Sequence, residues 1–255
     1  MSQIRGREVM ESSIPDLAIG PGKTRSNALH REVFVGQIRD WTTFNHEITQ
    51  FYHGIDWRHH QKVISYKPGT NASTSNIFRA RLSCGDEADV QCRFNSNVAI
   101  YMSPICDAAG VDITFGSFKT CLRVQSSSGI PDVVCRTNGG GLRVVGEVKT
   151  PWIMAHTLAR AKASRNMIYK KLLGQIAAYM QEGKLKCGFI MNYSETIFVK
   201  QEVVDGQWSL LVGDVVSSRA GGSLSLRSCF WWLANRAMWD YVANINLPRA
   251  QWVQG

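Results

Sequence analysis

The chain has 255 residues, 44% of them apolar and only 19% charged, enough to bury the core of one large or two small globular domains. Twenty-nine Lys+Arg against 20 Asp+Glu leave a formal charge of +9, which makes polyanions, nucleic acid first, the expected partners. The seven cysteines form no CxxC pair and no histidine stands at metal-finger spacing, which argues against a zinc module.

In chain order, residues 1–30 mix Ser, Gly, Pro and charge and read as a flexible arm. They include no apolar h-region, and no stretch approaches the roughly eighteen apolar residues of a membrane span. The expectation is an intracellular, thiol-reduced protein that meets no membrane, with nuclear residence allowed. Across residues 33–52 large apolar residues recur at roughly helical spacing, and residues 68–76 are small and polar. Residues 31–79 therefore read as a helical extension followed by a loop. Within residues 86–102, Val90, Phe94, Val98 and Tyr101 stand at steps of four, four and three behind a cluster of acids, the pattern of an amphipathic helix.

The period then changes to two. Residues 119–125, 130–136 and 142–149 read as three short strands of a meander, separated by SSSG and NGGG. Residues 155–182 read as one or two helices, residues 187–191 and 196–200 as strands, and residues 226–245 as a closing, aromatic-rich helix. Residues 80–255 thus predict one mixed α/β domain.

Chemistry concentrates in the hairpin over residues 129–152. If the Asn138–Gly141 loop closes symmetrically, one face pairs Cys135 with Val144, Val133 with Gly146 and Pro131 with Val148, almost wholly apolar. The other pairs Arg136 with Arg143, Val134 with Val145, Asp132 with Glu147 and Ile130 with Lys149. Two carboxylates side by side repel, and burial would raise one carboxylate's pKa unless a cation joins them. Mg²⁺ or Mn²⁺ suits such hard oxygen ligands, and a neighbouring lysine can orient a water or stabilise charge developing on phosphate. A solvent-facing hairpin with decorative charge is the alternative, and a one-residue bulge would move Glu147 to the other face.

Pro131-Asp132, followed after fourteen residues by Glu147-Val148-Lys149, resembles the PD-(D/E)XK nuclease signature. Gln175-Ile176-Ala177-Ala178-Tyr179 on the next helix resembles the QxxxY motif of the RecB-like branch. The segments Gly188 to Tyr193 and Thr196 to Phe198 are similar to strands in nuclease-like domains of uncharacterised fungal proteins. The resemblance covers roughly residues 80–240. It implies a restriction-endonuclease-like α/β core, a central mixed β-sheet flanked by helices, preceded here by the helical extension. It further implies a nuclease, DNA ahead of RNA as substrate, leaving 5′-phosphate and 3′-hydroxyl ends. Asp132, Glu147 and the backbone carbonyl of Val148 would ligate Mg²⁺ or Mn²⁺ and Lys149 would position the water. Gln175 and Tyr179, on one helical face, would hold the site and the nucleic-acid backbone. Glu87 would be the acid of the first core helix that approaches the metal, with Asp86 and Asp89 competing for that role.

Between His156 and Lys186 seven basic residues face one acid, Glu182. Arg160, Lys162, Lys170 and Lys171 are expected to bind phosphates, as is an anion between Arg136 and Arg143. Trp152 is expected to be a packing anchor rather than a base-stacking surface, and His53, His59 and His60 carry no role. A catalytically inactive nucleic-acid- or protein-binding module on the same fold, and a host-directed effector nuclease of the Crinkler type, are the alternative functions.

Overall fold

The computed structural model describes residues 3–26, 29–57, 64–65, 83–122 and 129–255. A seven-stranded mixed sheet organises them, built from β1 (Gln37–Asp40), β2 (Thr114–Gly116), β3 (Val133–Arg136), β4 (Leu142–Val148), β5 (Cys187–Met191), β6 (Glu195–Val204) and β7 (Gln207–Ser217). Its spatial order is β1-β7-β6-β5-β4-β3-β2. The pairs β4–β5 and β1–β7 are parallel and the rest antiparallel.

Strands β3 to β6 are buried along both sides, so alternate residues feed two separate cores. On one face Val133, Cys135, Val144, Phe189 and Phe198 join the side chains of α1 (Gly6–Glu11), α2 (Phe44–Gly54), α3 (Glu87–Phe94), α4 (Ile100–Ala108) and α7 (Leu226–Trp239). On the other Val134, Val145, Ile190 and Val199 pack against α5 (Leu158–Ser164) and α6 (Met167–Glu182). Helix starts are chemically marked: Asp86, Asn166 and Ser225 side chains accept the backbone N–H groups of α3, α6 and α7 respectively. Among the described residues no helix is long and apolar enough to cross a membrane.

The structure corrects several expectations. Residues 33–52 are not one helix: Val33–Phe34 pairs with Val253–Gln254, β1 is an edge strand of the central sheet, and only α2 is helical. Residues 6–14, expected within a flexible arm, are packed, with Val9, Met10 and Ile14 in the core. The first meander strand is β2; of the strand expected over residues 119–125, Lys119 and Thr120 lie in a 3-10 turn and residues 123–125 lie outside the described residues. The helix over residues 86–102 is interrupted by a π turn at Asn95–Ala99 and continues through α4, while Val90, Phe94 and Val98 are buried as the spacing predicts. Strand β7 was not read from the sequence, and α7 stops at Trp239 rather than residue 245. The loop at residues 68–76, His59 and His60 lie outside the described residues.

Candidate metal centre

Strands β3 and β4 pair Val133 with Gly146, Val134 with Val145 and Cys135 with Val144, the register expected from the loop. Gly146 is required here, because a Cβ would lie 2.0 Å from the Phe189 ring. The register continues toward Asp132, immediately before β3, and Glu147, near the end of β4. A carboxylate oxygen from each, and one from Glu87 on α3, lie within 4.8 Å of one another. The competition at the start of α3 is resolved by capping. Asp86 accepts from the Asp89 N–H (2.9 Å) and Asp89 from the Gly85 N–H (2.8 Å), which leaves Glu87 as the acid of the cluster.

The cluster is enclosed. Glu147 is 2% exposed and Lys149 8%. Lys149 Nζ donates to Glu147 Oε1 at 2.6 Å and lies 3.6 Å from Glu87 Oε2. Asp132 Oδ2 accepts the Val148 N–H at 2.9 Å, and the Asp132 carbonyl accepts from Gln91 of α3. Glu147 Oε2 is buried with no hydrogen-bond partner among the described residues. Burial pushes the Glu147 carboxyl up to about 8, with Lys149 opposing and Asp132 adding to the rise. Burial raises Glu87, partly offset by Lys149, and raises Asp132, partly offset by the Val148 N–H, by Lys149 and by Glu147. Burial alone would lower the Lys149 ammonium, but Glu147 and Glu87 outweigh it and hold it above its usual value. Three carboxyl groups against one ammonium leave the cluster short of positive charge, which a hard divalent cation would supply.

Gln175 and Tyr179 are buried on α6, whose face β4 presents Glu147 to. Gln175 Nε2 donates to Tyr179 Oη at 3.1 Å, and Tyr179 in turn donates to the Ile130 carbonyl at 3.4 Å, tethering the chain just before Asp132. A cleft of about 410 Å³ opens at Asp132 and runs beside the π turn, lined by Gln91, Asn95, Ser96 and Phe115 among others. Gln91 was missed at the sequence level; it lies one helical turn beyond Glu87, the spacing that puts both on one face.

The expected phosphate-binding residues are less uniform. A bulge sets Arg136 opposite Leu142 and leaves Arg143 out of the ladder, so the two arginines do not oppose one another across an anion. Arg136 donates to Thr120 Oγ1 and the Thr137 carbonyl, and Arg143 lies 3.7 Å over the Tyr241 ring. Lys162 is engaged within the chain, by the Gly213 carbonyl at 2.8 Å and Asp214 at 3.4 Å. Arg160 and Lys170 are exposed and Lys171 half-buried. Trp152 donates through Nε1 to the Thr24 carbonyl, an anchoring contact as expected. Phe230, Trp231 and Trp232 are buried, whereas Trp239 is 81% exposed.

No protein-family model, curated protein or solved structure matches the chain.

Proposed function

We propose that the chain is a divalent-metal-dependent nuclease with a restriction-endonuclease-like core, of the PD-(D/E)XK kind, acting on nucleic acid inside the cell. The observation that carries this reading is the convergence of Glu87, Asp132 and Glu147 on one point with Lys149 beside them. The mixed sheet with helices on both faces and the Gln175–Tyr179 pair on the adjoining helix support it.

The donor set fits the metal. Glu87, Asp132 and Glu147 would hold Mg²⁺ or Mn²⁺, together with the Val148 carbonyl, and Glu147 Oε2, buried without a geometric hydrogen-bond partner among the described residues, would be one of the oxygens facing the cation. When bound, the ion supplies charge neutralisation at phosphate and eases ionisation of water. The chain's own residues do the rest. Lys149, held by Glu147, presents an ammonium where water attacks the phosphorus in line and where negative charge then grows on the phosphate oxygens. Asp132 is fixed by the Val148 N–H, and Gln175 and Tyr179 hold the segment that carries it. The new P–O bond forms as the bond to the 3′-oxygen breaks opposite it; the attacking water gives its proton to solvent and the 3′-oxygen takes one from solvent, giving 5′-phosphate and 3′-hydroxyl ends.

One observation favours the non-catalytic binding module. The Lys149–Glu147 contact at 2.6 Å already supplies an internal cation, as a purely structural ion pair would. Cleavage of single- and double-stranded DNA and RNA, with and without Mg²⁺ or Mn²⁺, separates the two. Divalent-dependent cleavage lost in identically prepared Asp132→Asn is the expected result, and its absence on all four substrates returns the binding module.

A further inference from the structure

A second cavity begins three residues beyond Lys149. Its volume is about 490 Å³ and it is lined by Arg25, Trp152 and Arg160, with Thr157, Ser164 and Asn166 among the polar remainder, a size typical of small-ligand sites. No acid lines it, and neither arginine has an ion-pair partner among the described residues. Other basic side chains nearby are neutralised: Arg165 pairs with Asp40 at 2.5 Å and Lys162 reaches Asp214. Two unpaired guanidinium groups on one cavity concentrate positive potential and present forks suited to phosphate oxygens.

The cavity is tied to the acidic cluster by the backbone. Thr24 accepts the Trp152 indole N–H through its carbonyl and donates its own N–H to the Gly85 carbonyl at 2.7 Å. Gly85 stands two residues before Glu87, and Trp152 three after Lys149. Thr24 therefore ties the turn before α3 to the segment after Lys149, and Arg25, next in the chain, lines the cavity. The indole N–H of Trp152 is occupied by Thr24 and part of the side chain packs against the core, so what lines the cavity is the half-buried remainder of the residue.

We propose that this cavity receives the nucleotide next to the cleaved bond, its phosphate between Arg25 and Arg160 and its base on the Trp152 ring, so that the substrate is single-stranded. The assignment of a neighbouring cleaved bond rests on the nuclease reading above. A base paired within a duplex has no free face to give to Trp152, whereas an unstacked base does. Thus Trp152, expected only to anchor the chain, is assigned a recognition role as well.

Binding measured in EDTA tests the assignment without requiring metal or cleavage. Fluorescently labelled 12-mer DNA and RNA single strands and the DNA duplex are titrated with the full chain by anisotropy at several salt concentrations. The wild type is expected to bind at least one single strand more tightly than the duplex. Arg25→Ala/Arg160→Ala is expected to bind about ten-fold more weakly, its salt slope flattened by about 0.7 for the one phosphate no longer neutralised. Trp152→Ala is expected to lose about ten-fold with the slope unchanged, and Trp152→Tyr to recover most of it. The double arginine variant changes only exposed side chains and so keeps the test open if Trp152→Ala fails to fold. Wild-type affinity and slope in that variant, equal binding of duplex and single strands, or no binding by the wild type overturns the proposal. Cleavage lost in Asp132→Asn, or never seen, bears on the nuclease reading alone.

Discussion

Two of the sites where this molecule buries charge are built in opposite ways. Arg227 on α7 has no ion-pair partner among the described residues, yet its guanidinium donates to the Asn97 carbonyl, the Val9 carbonyl and Ser12 Oγ, at 2.7 to 3.1 Å. It also lies 4.9 Å over the Tyr101 ring. Those bonds bind residues 9–12 to α7 and to the π turn, which explains why the amino-terminal segment is packed. The cluster of Glu87, Asp132, Glu147 and Lys149 instead has excess negative charge and an unpartnered buried oxygen. Burial lowers the Arg227 pKa without stranding its donors, whereas burial at Glu147 is not fully answered from within the chain. The first arrangement is satisfied from within the chain, whereas the second concentrates acids that a cation would neutralise.

The largest expected effect is on cleavage. Glu147→Gln should lower the single-turnover rate by about 10²–10³-fold or more, while a thermal melt shows the fold retained. Arg227→Met should do the reverse. It orphans several buried carbonyls and should cost about 3 kcal/mol of stability, read as a melting temperature lower by roughly 6–12 °C, while the folded fraction cleaves at the wild-type rate. Equal loss of stability in both variants would erase the distinction between the two sites.

A smaller effect sharpens it. Mg²⁺ or Mn²⁺ at a hundred times its dissociation constant should stabilise the wild type by about 2.7 kcal/mol, reversed by EDTA, absent in Asp132→Asn and retained in Arg227→Met. The pH dependence follows from the same cluster. Glu147 rises from an ordinary 4.5 to about 8 on folding, so the native state holds a proton that the unfolded chain has released. Without metal, stability should therefore be greatest below about pH 4.5 as far as this group is concerned, and fall as pH rises toward 8. The slope is at most about 1.4 kcal/mol per pH unit, shared across coupled groups. Urea titrations of wild type and Glu147→Gln should diverge over that window, and a wild-type profile parallel to the variant would remove Glu147 as the source. The smallest effect belongs to Tyr179→Phe, which removes the hydrogen bond to the Ile130 carbonyl and the one accepted from Gln175 and should cost about 1–2 kcal/mol by denaturant titration.

Much of this site is local in origin. The Asn138–Gly141 loop sets the β3–β4 register, and with it the approach of Asp132 to Glu147 and the burial of the flanking valines. The separation of Gln175 and Tyr179 puts them on one helical face without reference to the rest of the chain. Strand β7 carried a readable signal that was overlooked: Asp205-Gly206, both at positive φ, is a strong hairpin turn between alternating strands. Strand β1 had none of comparable strength, since Gln37 to Asp40 become a strand only because β7 offers an open edge.

What composition and short-range spacing establish here is the alternation of helix and strand, the two-residue period around Asp132 and Glu147, and the basic surplus. Which acid of α3 joins the cluster, which arginines remain unpaired, and whether residues 6–14 pack all depend on partners far along the chain. Glu87 meets Lys149, Arg165 meets Asp40, and Arg227 meets Val9. Local periodicity comes from backbone geometry a few residues wide, whereas burial and ion pairing are properties of surfaces assembled from distant segments.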